Sequence, residues 1–251
     1  MPATKLEAPT MRPAQANFAA EVPMARLAGR RLIDVGMAAC GLILLAPLLC
    51  LIACAIVAES RGPILFSQLR LGQGGRPFRI YKFRKFDERR TANGLAITLR
   101  KDPRMTRVGR LLQATKLDEL PQLWNVLTGD MTIVGPRPES LAYADCFTDR
   151  WADLLKHTPG IFGPNQVIFR HEDGIFSATL DPDRFYRSIM FPLKAAIDLE
   201  YFDRRTYMTD TKCFIGALLA IFGVAPTRYL YLLRPPAQTR QPDLTRSVRS
   251  A

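Results

Sequence analysis

Histidine is nearly absent from this chain of 251 residues, which holds only His157 and His171. Cysteine is little more use for metal binding, because three of the five (Cys40, Cys50, Cys54) sit inside one apolar run. No zinc cluster of His and Cys spacing can be assembled, and any metal must be a hard cation held by carboxylate oxygens. Magnesium is the natural choice, with manganese accepting the same donors. The three cysteines read as small hydrophobes rather than bridge partners, so nothing points to an oxidising compartment. Acidic residues are also few, 23 against 35 basic, for a formal net charge of +12. Such a surface attracts phosphates, anionic lipid head groups or nucleic acid. There is no internal repeat, and the length with 48% hydrophobic content suits one domain or at most two.

A local absence is more informative. From Val35 to Ala58 no side chain is charged, which predicts a membrane-embedded helix. The run lies too far from Met1, and is too long, for an ordinary cleaved signal peptide. Arg26, Arg30 and Arg31 precede it, while Arg61, Arg70, Arg76, Arg79, Lys82 and Arg84 follow it. Both flanks are thus cytoplasmic by the positive-inside rule, which a single crossing cannot satisfy. A re-entrant helix can, and Pro47 near the middle supplies a place to bend. This long apolar segment, with no interleaved aromatic and basic reading surface, argues against nucleic acid as the partner of the positive charge.

Around this segment the chain divides into a disordered leader (1–24), the re-entrant membrane helix (25–60), a catalytic domain on the cytoplasmic face (61–232) and a disordered tail (233–251). Pro63–Gln68 and Phe78–Phe83 alternate apolar and polar residues around Gly72-Gln-Gly-Gly75, which predicts a β-hairpin with its basic side chains facing one way. Helical periodicity runs over about 117–127, about 139–157, and about 183–222 with a break near Pro192. The apolar run 213–225 is too short to span a membrane and suits either the interface or the core. The fold class is α+β, mainly helical: a single membrane-associated domain with a small β-hairpin.

Gly, Pro, Arg and carboxylate residues concentrate in Asp102–Arg110, Leu117-Asp-Glu-Leu-Pro-Gln-Leu-Trp-Asn125 and Gly129-Asp-Met-Thr-Ile-Val-Gly-Pro-Arg-Pro-Glu139. Adjacent acids such as Asp118 and Glu119 suit phosphoryl transfer, where one carboxylate attacks phosphorus and the other holds a divalent cation. The plainer reading is that they favour the first turn of a helix beginning near Pro121. Arg84, Arg104, Arg110 and Arg137, with Lys82, are candidates for gripping phosphate; contact with anionic lipid would use the same charges. Gly135, Pro136 and Pro138 constrain the backbone beside Arg137, and Trp124 and Phe83 read as packing residues.

Together with Tyr81-Lys-Phe-Arg84, these segments resemble the bacterial sugar transferases, the monotopic phosphoglycosyl transferases that start lipid-linked glycan or exopolysaccharide assembly. The likeness covers roughly residues 31–223, with Pro159–Gln166 and Asp198-Leu-Glu-Tyr201 also matching. It implies a membrane enzyme of the bacterial inner membrane, working on its cytoplasmic face. A phosphosugar passes from a UDP-sugar donor to an undecaprenyl phosphate acceptor through an aspartyl-phosphosugar intermediate, with release of UMP. Asp118 is then the nucleophile and Glu119 a ligand for Mg2+. The family also leaves a homodimer open. Four positions depart from its usual pattern: Ala46 stands for Ser before Pro47, Gln113 for Arg, Lys116 for Ser or Thr, and Phe162 for Thr. The loss of arginine at Gln113 supports an alternative, a catalytically impaired paralogue that scaffolds polysaccharide assembly at the membrane.

Overall fold

A computed structural model of the chain describes residues 24–87, 102, 104–169, 181–221 and 223. The expected leader, save Met24, the expected tail and His171 lie outside them. Helix α1 spans Met24–Glu59 and stays helical through Pro47. From Ala28 to Glu59 it is long and apolar enough to cross a membrane, with 11% of its most apolar window buried inside the fold.

Both ends of α1 are fastened to the same folded body. At the first, Arg31 donates to the carbonyls of Val126 and Leu127, and Arg30 pairs with Asp210 at 3.2 Å. Asp34 accepts from the Thr132 hydroxyl at 2.6 Å and the Ile133 amide at 2.9 Å. At the other, the Glu59 carboxylate accepts from the amides of Arg107 and Val108 at 2.6 and 2.8 Å. Charge chooses these contacts: Arg31 meets the negative end of one helix and Glu59 the positive end of another. Between them Ala38, Ile52 and Ile56 are buried against the body, while Ile43, Leu44, Leu51 and Val57 face outward with Cys40, Cys50 and Cys54.

The expected hairpin is present. Strand β1 (Leu65–Leu71) pairs antiparallel with β2 (Pro77–Phe83) across the Gly72–Gly75 turn. Its basic residues do not all face one way. Lys82 and Arg70, opposite Phe66 and Phe78 in the register, share a face with buried Ile80, whereas Arg79 lies on the other face and donates to Ser67.

Periodicity missed helix α2 (Arg107–Thr115), which Thr106 caps by accepting from the Gly109 amide. It ends at Lys116 in the left-handed conformation, φ 61°. The helix expected over 117–127 is instead a 3-10 turn at Leu117–Glu119 followed by α3 (Gln122–Thr128). Asn125 of α3 is wholly buried. Its side chain accepts from the Tyr81 amide at 3.1 Å and donates to the Arg79 carbonyl at 2.8 Å, standing in for a third strand on the free edge of β2.

A feature absent from the sequence reading follows: β3 (Thr132–Val134) pairs in parallel with β4 (Gly160–Phe162). Gly135 and Gly160 permit it, because a Cβ on either would strike the backbone at the other. The segment expected as one helix over 139–157 is two 3-10 stretches, Leu141–Cys146 and Asp149–Lys156, separated by Phe147 and Thr148, with Asp149 opening the second at φ 48°. Beyond the short α4 (Pro164–Ile168), a helical turn at Pro182–Phe185 runs through a π-turn (Tyr186–Met190) into α5 (Phe191–Asp203). No break falls at Pro192: the wider turn accommodates the residue that lacks an amide donor. The break lies at residues 204–206, ahead of α6 (Tyr207–Ile221). Helix α6 serves the core and the surface at once, with Cys213, Ala217 and Ala220 buried and Met208 and Ile215 exposed. Phe83 is packed as expected, but Trp124 is 54% exposed rather than packed.

Candidate active site around Asp118 and Glu119

The 3-10 turn between α2 and α3 carries the two adjacent acids beside β2. Asp118 is 2% exposed. Its Oδ2 lies 3.1 Å from the Lys85 ammonium, and among the described residues its buried Oδ1 has no hydrogen-bond partner. Glu119 turns the other way: its Oε1 takes Lys82 at 2.7 Å and Arg137 at 3.4 Å. Burial by itself would raise the Glu119 carboxyl, but Lys82, then Arg137 and Lys116, outweigh it and hold the group far below the usual carboxylate range. Burial lowers the Lys82 ammonium in turn, and Glu119 partly offsets this.

The two cations of Glu119 also line a small cleft, with Arg70, Gln122, Pro138 and Gln166 among others. Three cations around one space favour an anion. Arg70 is crowded enough that burial, and after it the Arg137 charge, lowers its pKa. Two uncharged groups there are also unsatisfied among the described residues: the buried Nε2 of Gln122 and Oε1 of Gln166. A buried donor and acceptor left open cost free energy unless a ligand or solvent meets them.

Arg137 also lines a larger cleft, with Glu139, His157, Asn165, Lys194 and Asp198. Here the two outlying segments meet, since Asn165 donates to Asp198 Oδ2. Burial pushes the Asp198 carboxyl well above its ordinary value. It also pulls His157 down to about 4, with nearby Arg205 adding to the effect.

The sequence-derived candidates thus separate. Asp118, Glu119, Lys82 and Arg137 are brought together. Arg84 is buried at the end of α1, donating to the carbonyls of Ser60 and Arg61. Arg104 is paired with Asp102 through two side-chain bonds and lies over the Phe86 ring. Arg110 is on the exposed face of α2, donating to the Met105 carbonyl at 3.1 Å. Lys85 and Arg70 were not singled out from sequence. Both belong to the basic series after the apolar run, but only folding brings Lys85 against a residue 33 positions away. Of the departures, Phe162 packs edge-on against Phe214 in the core.

For a metal, the described residues contain no group of three or more His, Cys, Asp and Glu side chains able to hold an ion. Two adjacent carboxylates remain, and Mg2+ accepts one or two when waters and substrate phosphates complete its shell. The donor set fits on that condition, with both cationic contacts of Glu119 falling on Oε1.

Comparison with known proteins adds an independent line. A family model described as bacterial sugar transferase matches residues 25–223. The chain is 48% identical over 141 residues to UDP-glucose:undecaprenyl-phosphate glucose-1-phosphate transferase of Caulobacter vibrioides, covering 55% of this chain and 53% of that one. It is 41% identical over 143 residues to UDP-N-acetylgalactosamine-undecaprenyl-phosphate N-acetylgalactosaminephosphotransferase of Aeromonas hydrophila, covering 55% and 34%. It is 34% identical over 205 residues to the uncharacterized sugar transferase EpsL of Bacillus subtilis, covering 80% and 92%. The chain therefore spans about half the Caulobacter protein and a third of the Aeromonas one, but nearly all of the Bacillus one.

Proposed function

The chain belongs to the bacterial sugar transferase family, and from that premise we propose that it transfers a phosphosugar from a UDP-sugar to undecaprenyl phosphate, releasing UMP and starting a lipid-linked glycan. The observation that carries the reading is the buried Asp118 with Oδ1 unpartnered, next in sequence to Glu119, which pairs with two of the three cations that ring the small cleft, Lys82 and Arg137.

In this account the donor diphosphate lies in the small cleft, where the guanidinium groups take its oxygens in their planar fork. Gln122 Nε2 offers it a donor. Asp118 Oδ1 attacks the phosphorus that bears the sugar. As the Oδ1–P bond forms, the bond from that phosphorus to the bridging oxygen breaks, and UMP leaves with the electron pair. An oxygen of undecaprenyl phosphate then attacks the same phosphorus, the Oδ1–P bond breaks, and Asp118 returns as a carboxylate. Glu119, kept ionised by Lys82 and Arg137, would hold Mg2+, which when bound acts as a Lewis acid toward the diphosphate. The larger cleft, which shares Arg137 with the first, takes the rest of the nucleotide sugar.

The acceptor arrives by way of the membrane. The outward apolar face of α1 buries itself in lipid, and attachment of both helix ends to one body favours a segment that enters and returns on the cytoplasmic face of the inner membrane. The test is UMP release by purified, detergent-solubilised protein given Mg2+, undecaprenyl phosphate and a panel of UDP-sugars that includes glucose and N-acetylgalactosamine, with Asp118→Asn beside it. Turnover of one donor with a silent Asp118→Asn supports the proposal. A folded protein that turns over no donor favours the membrane-scaffold alternative.

A further inference from the structure

Lys85 is the least expected member of the site. It sits directly after Arg84, yet the two side chains diverge: Arg84 closes the end of α1, and the Lys85 ammonium reaches the buried Asp118 Oδ2 at 3.1 Å. Its backbone is fixed on the first turn of α2. The Lys85 carbonyl accepts from the Thr106 amide at 3.0 Å and the Thr106 hydroxyl at 3.3 Å, and a Cβ on Gly109 would collide with that same carbonyl. The glycine is what lets α2 approach so closely. The ammonium is therefore delivered from a rigid base rather than from a loose surface chain, and its side chain is only 17% exposed.

This contact separates the two oxygens of Asp118. Oδ2 is held by a cation, while Oδ1 lacks a hydrogen-bond partner among the described residues. A carboxylate with both oxygens free would rotate about its side-chain bonds and attack from many orientations. With one oxygen pinned, the other points in one direction, the arrangement that converts proximity into rate. We propose that Lys85 is a positioning residue for the covalent step: it fixes Asp118 through Oδ2, presents Oδ1 to the phosphorus, and remains beside the new acyl phosphate. When Oδ1 bonds to phosphorus, the negative charge that Lys85 faced ends on the leaving UMP, and the phosphoryl group keeps the single charge it had in the donor. UMP carries away the electron pair of the broken bond, and no proton moves. This inference rests on the phosphosugar-transfer reading and goes beyond it by naming the group that orients the nucleophile.

The test is a burst reaction without undecaprenyl phosphate, in which a UDP-sugar labelled in its uridine is in excess over enzyme, so that each folded active site releases one UMP. It follows the rate constant and the amplitude of UMP release separately. Lys85→Met should lower the rate constant about 100-fold or more, the scale of losing one fixed electrostatic contact at a reacting centre. Donor affinity should stay within about threefold. Lys85→Arg, which keeps a cation, should recover about tenfold or more of that loss. A merely structural lysine would reduce the amplitude, by reducing the folded fraction, and leave the rate constant alone. That outcome overturns the proposal, as does a Lys85→Arg variant no faster than Lys85→Met. If Lys85→Met does not fold, Lys85→Gln, which keeps a donor and loses the charge, takes its place; a wild-type rate constant in it is equally fatal. Failure of the underlying reading looks different, since wild-type protein would then release no UMP.

Discussion

Replacing Asn125 by alanine removes both side-chain bonds between α3 and the free edge of β2. Asn125 is at 0% exposure, so the Tyr81 amide and the Arg79 carbonyl that it serves would lose their partner on its buried side. Each orphaned group costs up to about 1–3 kcal/mol, giving at most about 2–6 kcal/mol for the pair. For a domain of this size that lowers the melting temperature by roughly 5–15 °C. Asn125→Asp keeps the acceptor for Tyr81 but sets a carboxylate against the Arg79 carbonyl, and should be at least as damaging. Thermal unfolding in detergent, followed by circular dichroism, measures both. The same strand carries Lys82 to Glu119, so UMP release should fall in whatever fraction stays folded. An Asn125→Ala protein within 1 kcal/mol of wild type, on the scale where most surface changes fall, would refute the clamp.

Three further outcomes are expected. His157 has its folded pKa depressed to about 4 from 6.5, chiefly by burial, so the folded state keeps it neutral. Its contribution is whole above pH 6.5 and lost as pH falls through 4, about 3 kcal/mol in all, and His157→Gln should flatten a denaturation series over that window. Asp198 has the opposite sign: its raised carboxyl contributes stability below an ordinary Asp value of about 3.9, which is lost as pH rises. Asp198→Asn, which can still accept from Asn165, should therefore be more stable than wild type at pH 7 but not at pH 3. Glu59→Gln should cost about 0.3–1 kcal/mol by removing a charge from the start of α2, and 1 M salt should shrink the difference if the charge is the cause.

The sequence was most legible where short-range patterns act alone. Alternation on either side of a glycine-rich turn is enough for β1 and β2, and an uncharged run is enough for α1. Adjacency likewise marked Asp118 and Glu119. Patterns of apolar spacing failed where several helix types share them: Leu141–Cys146 and Asp149–Lys156 wind as 3-10 turns, parted by an extended Thr148 and a positive φ at Asp149 that no periodicity records. The pairing of β3 with β4 depends on two glycines meeting across a connection of 25 residues, from 135 to 160, and three-residue strands leave almost no alternation to read. Arginine content overestimated the phosphate-binding set. Arg84 and Arg104 are engaged by carbonyls and by Asp102, and only the fold distinguishes a guanidinium that closes a helix from one that lines a cleft. Lys85 and Arg70 were passed over for the reverse reason, being ordinary basic residues until the hairpin folds against α2 and α3.

The central claim is that Asp118 becomes covalently bonded to the phosphosugar. The direct measurement is the intact mass of protein quenched in acid after mixing with its UDP-sugar and Mg2+ in the absence of undecaprenyl phosphate, followed by peptide mapping. The account predicts one added phosphosugar on the peptide containing Asp118, discharged when undecaprenyl phosphate is supplied and absent from Asp118→Asn. UMP release and lipid product from a protein that never gains this mass, or an adduct on another residue, would contradict it.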